Sequence, residues 1–177
     1  MTRIASWLVV IFAAVLAVLG GRAISAQDKY TVQVPGGLAF SEFRGYEDWA
    51  VIAISENGGK MAAILGNPTM IDAYKAGVPG NGQPFPDGSK IAKLQWNPKK
   101  STEAPFVVDV PDTFAQAFFM EKDAKRFPAS GGWGHALFNY TAASDTFAAD
   151  PAPADCGHTC HVAVKAKDHI FHPYQKR

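Results

Sequence analysis

The chain has 177 residues, of which 47% are hydrophobic and 19% are charged, and its formal net charge is +1. This apolar content excludes a disordered protein, and a charge so near zero creates no field that would attract nucleic acid or an anionic membrane. We therefore expect one globular domain and no nucleic-acid partner.

The first 26 residues form a separate segment. Arg3 precedes an apolar run at residues 7–21, and small residues follow at 23–26. A basic start, a short apolar core and small residues predict a secretory signal peptide over residues 1–26, cleaved to leave a mature domain of residues 27–177. An uncleaved anchor is the alternative, because the run approaches the roughly 20 residues that span a membrane. Cleavage is the interpretation we favour, and it predicts a periplasmic protein in an oxidising compartment.

Glycine and proline divide the mature chain into short pieces, a pattern that favours many strands and few helices. Residues 46–55 form a β-rich apolar run, and a second run covers residues 60–66. The Asn-Gly-Gly sequence between them is typical of a turn. Residues 67–77 then predict a short helix, with Asn67 as its N-cap, proline at its first position and glycine at its end.

The second half of the chain continues this pattern. Three segments have the composition of strands: residues 90–96, 104–110 and 131–141. Residues 114–123 fit a strand or a helix, because their apolar run does not decide the period. Residues 161–171 carry apolar side chains at helical spacing. The order predicts an α+β fold, which is a mainly antiparallel β-sheet with a few short helices and a C-terminal helix that begins at the cysteine motif.

That motif, residues 155–161 with the sequence Asp-Cys-Gly-His-Thr-Cys-His, holds both cysteines of the chain. An exported protein could form a Cys156–Cys160 disulfide. The two thiolates could instead bind a transition metal together with His158 or His161, although zinc sites usually separate their ligand pairs more widely. The third interpretation is a haem c, in which both thiols bond to the haem and the following histidine is an axial iron ligand.

The order of the last two residues of the motif favours haem. His161 directly follows Cys160, as an axial histidine must, whereas a disulfide has no use for a histidine there. The usual signature has two residues between its cysteines and this chain has three. The additional residue can bulge outward without moving Cys160 relative to His161. A disulfide and another metal remain as alternatives on residue chemistry alone.

Several blocks of the mature chain also carry a resemblance. They are YEDW at 46–49, ILGNPTMIDAY at 64–74, FPDGSKIAKL at 85–94, KRFPASGGWGHALF at 125–138, and CGHTCH at 156–161 followed by KAKDHIFHPY at 165–174. In order and spacing they resemble the cytochrome P460 family, which includes the beta-sheet cytochromes c-prime. The resemblance implies one covalent haem c, thioether bonds to Cys156 and Cys160, His161 as the proximal ligand of the iron, and an open sixth position. It also implies a small nitrogen species or diatomic gas as ligand, a periplasmic electron-transfer partner and a homodimer.

Lys93 is the first catalytic candidate. Enzymes of the family carry a covalent link between a lysine and the haem ring, and the resemblance places this lysine at Lys93, five residues after the glycine of the Asp87-Gly88 turn. The residues alone favour a different interpretation. On a strand, Lys93 shares a face with Ile91 and Gln95, and the opposite face is the better core. By that argument Lys93 is a solvated lysine on a polar face.

Phe118 is the second catalytic candidate. Hydroxylamine-oxidising members of the family resemble one another in having a distal glutamate, and an ungapped count back from Arg126-Phe127 places Phe118 at that position. Glu121 lies nearby in the sequence but on the opposite face of the strand. An apolar residue over the iron resembles the gas-binding members of the family.

Three functions follow from these patterns. The first is an oxidoreductase that acts on hydroxylamine, nitric oxide or a related small nitrogen species, with Lys93 linked to the haem. The second is a cytochrome that binds nitric oxide or carbon monoxide, or transfers electrons, without turnover. The third is an exported non-haem protein with one disulfide. His135, on a predicted strand, is more ordinarily a packed residue, and approach to the haem is its alternative role.

Overall fold

The computed structural model describes residues 26–152 and 155–175, with the backbone alone at residues 155 and 156. All but the last residue of the predicted signal peptide therefore lie outside the described residues. Within the described part of the chain, no helix has the length and apolar character needed to cross a membrane.

In the described residues, six strands form one antiparallel sheet, and each strand pairs with its neighbours in the sequence. The strands are β1 (Ala50–Asn57), β2 (Lys60–Gly66), β3 (Lys90–Lys100), β4 (Asp109–Lys122), β5 (Trp133–Thr141) and β6 (Thr146–Ala149). The prediction of a mainly antiparallel α+β fold is confirmed. The sequence allowed either a strand or a helix for residues 114–123, and in the structure they fall largely within β4. Apolar side chains on both of its faces hide the period-2 pattern.

Helix α1, Pro68–Lys75, lies between β2 and β3 and begins as predicted. The side-chain oxygen of Asn67 accepts a hydrogen bond from the backbone N–H of Met70 at 3.0 Å. The same oxygen accepts a second hydrogen bond from the backbone N–H of Lys90, also at 3.0 Å. The cap therefore fixes the start of α1 to the start of β3, the strand that carries Lys93.

The cysteine motif forms the second helix. Helix α2 covers Asp155–His161, and a 3-10 segment continues over Val162–Lys167. The helical spacing at residues 161–171 is only partly realised, because Val164 has a non-helical φ of −118° and Asp168 enters the left-handed region with a φ of 48°. These two breaks turn the chain back toward the sheet.

Two strand predictions are corrected. Residues Tyr46–Asp48 form a 3-10 turn, so the first strand begins only at Ala50. Residues 104–108 lie in the loop between β3 and β4, where Phe106 is 72% exposed and Val107 is 83% exposed. Their β propensity has no effect without a pairing strand or a surface to cover.

The two faces of the sheet are used differently. The first, here called the covered face, is packed by residues 34–46 of the N-terminal segment. Its cluster includes Phe40, Phe43, Leu65, Ala92, Leu94, Phe119 and Phe138. The second, here called the cleft face, is packed only in part. Its cluster includes Ile52, Ile64, Met70, Ile91, Met120, Trp133 and Ile170.

Candidate haem site

The cleft face opens into a cleft of about 970 Å³. Part of its floor is a row of residues paired across four strands: Ile64, Lys93, Phe118 and Leu137. Because alternate residues of a strand share a face, this row and the next, which contains Gln95 and Gln116, line the same cleft. Helix α2 and the segment after it contribute further lining residues, which include Cys160, His161 and Phe171. Four of the predicted site residues, Lys93, Phe118, Cys160 and His161, therefore meet in one cleft.

His161 is held in one tautomer. Its Nδ1 lies 2.6 Å from the backbone oxygen of His169. A carbonyl oxygen can only accept a hydrogen bond, so Nδ1 carries the proton and Nε2 keeps its lone pair. Burial lowers the pKa of His161, which favours the neutral ring. A neutral imidazole with its Nδ1–H fixed by a carbonyl is the usual state of a metal-ligating histidine.

The cysteines flank a tightly packed glycine. Cys160 is an exposed thiol at the cleft, one residue before His161. A Cβ at Gly157 would lie 2.7 Å from the Cβ of His135, so the spacer passes the β5 strand at a point where only glycine fits. The side chain of Cys156 lies outside the described residues. Both the thioether bond and the disulfide assigned to it therefore stay predictions.

Lys93 lies in the cleft and not in open solvent. Its side chain is half-buried, and its Nζ lies 5.2 Å from the ring centroid of Phe118. Burial lowers the pKa of the Lys93 ammonium. Ile91 and Gln95 share its face, as predicted, but only 7% and 5% of their surfaces are exposed. The strand period was predicted correctly, whereas the interpretation of this face as solvated is wrong, because the cleft buries it.

Phe118 also lies where the strand period places it. It lines the cleft, while Glu121 belongs to the opposite face and its carboxylate pairs with the Lys90 ammonium at 3.2 Å. Two other carboxylates, those of Glu56 and Asp150, line the cleft. Asp150 accepts a hydrogen bond from Asn139 at 2.8 Å and is part of a polar side-chain network of β5 and β4. Sequence reasoning missed Asp150, since it follows β6, a strand that was not predicted.

His135 is a second buried histidine that lies beside the predicted ligand, His161. It is 7% exposed, and its ring centroid lies 5.2 Å from that of His161. Burial lowers the pKa of His135 to about 3, so the ring is neutral at physiological pH. Its Nε2 is buried without a hydrogen-bond partner among the described residues. His135 is therefore packed, as expected, and it also lies next to the predicted site.

These side chains fit a haem c. An apolar cleft of this volume is of the size that encloses a small-molecule cofactor. His161 offers one free ring nitrogen, and Cys160 stands directly before it in the chain. When bound, a haem would supply an iron centre and its one-electron chemistry. In such a complex His161 would hold the iron, residues such as Phe118 would keep water from the ring, and Lys93 would face the haem from the floor of the cleft.

Comparison with known proteins agrees with this site. The model of the cytochrome P460 family matches residues 43–172, a range that contains the six strands described above, the row of residues on the floor of the cleft and the cysteine motif. A search of curated protein sequences gives no match. The chain belongs to the cytochrome P460 family and is a haem-binding cytochrome.

Proposed function

We propose that this protein is an exported mono-haem c cytochrome that oxidises hydroxylamine or a related small nitrogen species. The haem is bonded to Cys156 and Cys160, has His161 as its proximal ligand, and is linked to Lys93. Its electrons pass to a periplasmic partner. The observation that carries the proposal is the position of Lys93, which lines the same cleft as His161 and Cys160.

The surroundings of Lys93 support its role in the link. A lysine must lose its proton before its nitrogen can form a bond, and burial lowers the pKa of Lys93 in that direction. Within the described residues Lys93 forms no ion pair that would hold it as an ammonium. Its contact with the ring of Phe118 keeps the amine over the floor of the cleft. A lysine bonded to the ring would distort the macrocycle, which is one of the means by which a protein tunes haem iron.

The link must be balanced by an oxidant. A bond from Lys93 to the ring replaces one hydrogen on the lysine and one on the haem, so two electrons and two protons leave. An oxidant of the peroxide class accepts them. The linked protein is therefore lighter than an unlinked haem c form by two hydrogen atoms.

Phe118 favours a second function, the binding of nitric oxide or carbon monoxide without turnover. It lies in the cleft beside Lys93 at the register where the resemblance expects a glutamate, and its ring can neither accept nor donate a proton. An apolar wall favours small neutral ligands over hydroxylamine, whose oxidation releases protons.

Intact mass and the optical spectrum of the haem-loaded protein separate these functions. After peroxide treatment, we expect the parent to lose two hydrogen atoms and to show a red-shifted ferrous Soret band. Lys93→Ala should show neither change. Lys99→Ala is the matched control, because Lys99 lies on the same strand but is exposed and pairs with Asp112.

Each outcome of this experiment selects one function. A parent with ordinary haem c mass and spectrum removes the linked enzyme and leaves gas binding. A protein that takes up no haem when expressed with the maturation apparatus for c-type cytochromes removes both functions and leaves the disulfide protein.

A further inference from the structure

The segment after the 3-10 turn has an unusual backbone. Asp168 and His169 are consecutive non-glycine residues in the left-handed region, with φ angles of 48° and 64°. Such residues keep this conformation only where the surrounding structure holds them. It is the backbone oxygen of His169 that accepts the hydrogen bond from Nδ1 of His161.

A buried ion pair holds these two residues. Oδ1 of Asp168 lies 2.7 Å from Nζ of Lys122, and the two side chains are only 13% and 7% exposed. Oδ2 of Asp168 accepts a hydrogen bond from the backbone N–H of Phe85 at 2.8 Å. One carboxylate thus joins the C-terminal segment to the end of β4 and to the loop before β3.

Lys122 of this ion pair also contacts the backbone around the next residue, His169. Nζ of Lys122 donates a further hydrogen bond to the backbone oxygen of Gly131 at 2.9 Å. A Cβ at Gly131 would overlap the imidazole of His169, so this glycine leaves room for that ring. Lys122 therefore organises both the carboxylate before His169 and the backbone against which His169 packs.

We infer that Lys122 and Asp168 are positioning residues for the proximal ligand. They act through one backbone carbonyl, that of His169, which orients the ring of His161 and strengthens its donation to a metal through Nε2. The inference rests on the proposed ligation of iron by His161. It goes beyond that proposal, because it assigns a role to two residues that touch neither the haem cleft nor the cysteine motif.

A purely structural role is the competing explanation, and the burial of the pair argues against it. Buried ion pairs are often no more stabilising than apolar side chains of similar volume, because both charges lose their hydration. The pair does what an apolar pair cannot do, since its carboxylate accepts hydrogen bonds from two directions and fixes a left-handed residue directly before the carbonyl.

The chain offers a matched control in a second ion pair, Lys90–Glu121, at 3.2 Å. Its side chains are 20% and 14% exposed, and Glu121 directly precedes Lys122 on β4. Neither Lys90 nor Glu121 lines the cleft. Glu121→Gln therefore removes a part-buried charge from the same strand without touching the support of His161.

The test is the iron–histidine stretching band of the ferrous haem-loaded protein, recorded by resonance Raman spectroscopy. Asp168→Asn keeps the side-chain volume and tolerates the left-handed backbone, so it isolates the charge. We expect the band to move to lower frequency in Asp168→Asn and in Lys122→Gln. A weaker hydrogen bond from Nδ1 of His161 to the oxygen of His169 would make Nε2 donate less electron density to the iron. Glu121→Gln should leave the band where it is in the parent, and Lys122→Arg should restore most of the parent frequency.

The outcomes separate this inference from the proposed function. A parent without an iron–histidine band, or a His161→Ala variant that keeps the band, means that His161 is not the ligand. A parent with the band, unchanged in both Asp168→Asn and Lys122→Gln, overturns the positioning role alone. An equal shift in Glu121→Gln overturns it as well, since the effect would then be general. If Asp168→Asn does not fold, Lys122→Gln decides the question from the other partner.

Discussion

The two faces of the sheet are formed by alternate residues of the same strands, so neighbouring residues lie on opposite faces. On the covered face, Phe119 stacks on Phe43 with ring centroids 4.2 Å apart and meets Phe40 at 5.0 Å. One residue earlier, Phe118 lies on the floor of a cleft of about 970 Å³. The difference arises because the chain's own N-terminal segment packs on one face and leaves much of the other open as the cleft.

Charges in the cleft itself also differ from those beside the covered face. Beside the covered face, carboxylates and cations pair with one another, as Glu42 does with Arg126 and Glu121 with Lys90. In the cleft, Lys93 and His135 have no such partner among the described residues, and burial lowers the pKa of each. The covered face is completed by the protein itself, whereas the cleft face retains groups that a bound molecule can use.

The largest expected effect directly tests the difference in packing between the covered face and the cleft face. Phe119→Ala should lower the free energy of unfolding by about 3–5 kcal/mol, the range for a buried phenylalanine, because Phe119 is only 1% exposed. Phe118→Ala should cost less than half as much, since one side of its ring faces the cleft. Urea denaturation of the two variants, both produced without haem so that the cleft stays open, measures the difference, and equal losses would show that the cleft face is packed as fully as the covered face.

The second effect concerns catalysis at the cleft. Phe118→Glu places a carboxylate beside Lys93, and a positioned base typically contributes about 10²- to 10⁴-fold to a rate. The same carboxylate would favour the charged form of Lys93 and so oppose the link, and we therefore count activity per linked protein, as determined by intact mass. On that basis we expect hydroxylamine oxidation to rise toward the lower end of that range in steady-state assays. Adding Lys93→Ala should abolish the gain. A Phe118→Glu variant with the activity of the parent would argue for a gas-binding protein.

The third effect lies at the rim of the covered face and depends on pH. Burial alone would raise the pKa of Glu42, but hydrogen bonds from Arg126 and from the backbone N–H of Ala39 lower it from 4.5 to about 2. Because the folded-state pKa lies below the unfolded one, the stabilisation is complete above pH 4.5 and is lost as the pH falls toward 2. After allowance for partial exposure, we expect a loss of about 2 kcal/mol across this window.

The measurement compares urea denaturation of the parent with that of Glu42→Gln at several pH values. Burial raises the pKa of the neighbouring Glu121, so this group works in the opposite sense, and only the difference between the two curves reports on Glu42. Curves that stay parallel from pH 6 to pH 2 would exclude this role of the ion pair.

Sequence reasoning could find the floor of the site but not its environment. The period of a strand shows that Lys93 and Gln95 share a face, yet it does not show which face the N-terminal segment covers. The adjacency of Cys160 and His161 predicts a ligand and its tether because both lie in one short motif. The carbonyl of His169 and the Lys122–Asp168 pair escaped prediction, since they depend on where the chain turns after α2 and on contacts between residues distant in the sequence.

The smallest effect tests how closely the cysteine motif packs on the cleft face. Gly157 lies in helix α2, where alanine is intrinsically preferred to glycine by about 1 kcal/mol. A Cβ there would lie 2.7 Å from the Cβ of His135 and 2.8 Å from its ring, and these atoms are too close to the backbone to move freely. Overpacking of this kind costs about 1–3 kcal/mol, so Gly157→Ala should destabilise the protein by roughly 1 kcal/mol after the gain in helix propensity.

His135→Gly removes both the Cβ and the ring that would be overlapped, and it should therefore reverse the sign. In that background we expect Gly157→Ala to raise the free energy of unfolding by up to about 1 kcal/mol, the propensity term alone. A double-mutant cycle by thermal or urea denaturation gives the coupling between the two positions. Gly36→Ala is not a suitable control, because Gly36 has a φ of 68° and would be strained whatever its surroundings. Independent effects of the two substitutions would mean that the spacer of the motif does not rest on His135, and that its third residue is accommodated elsewhere.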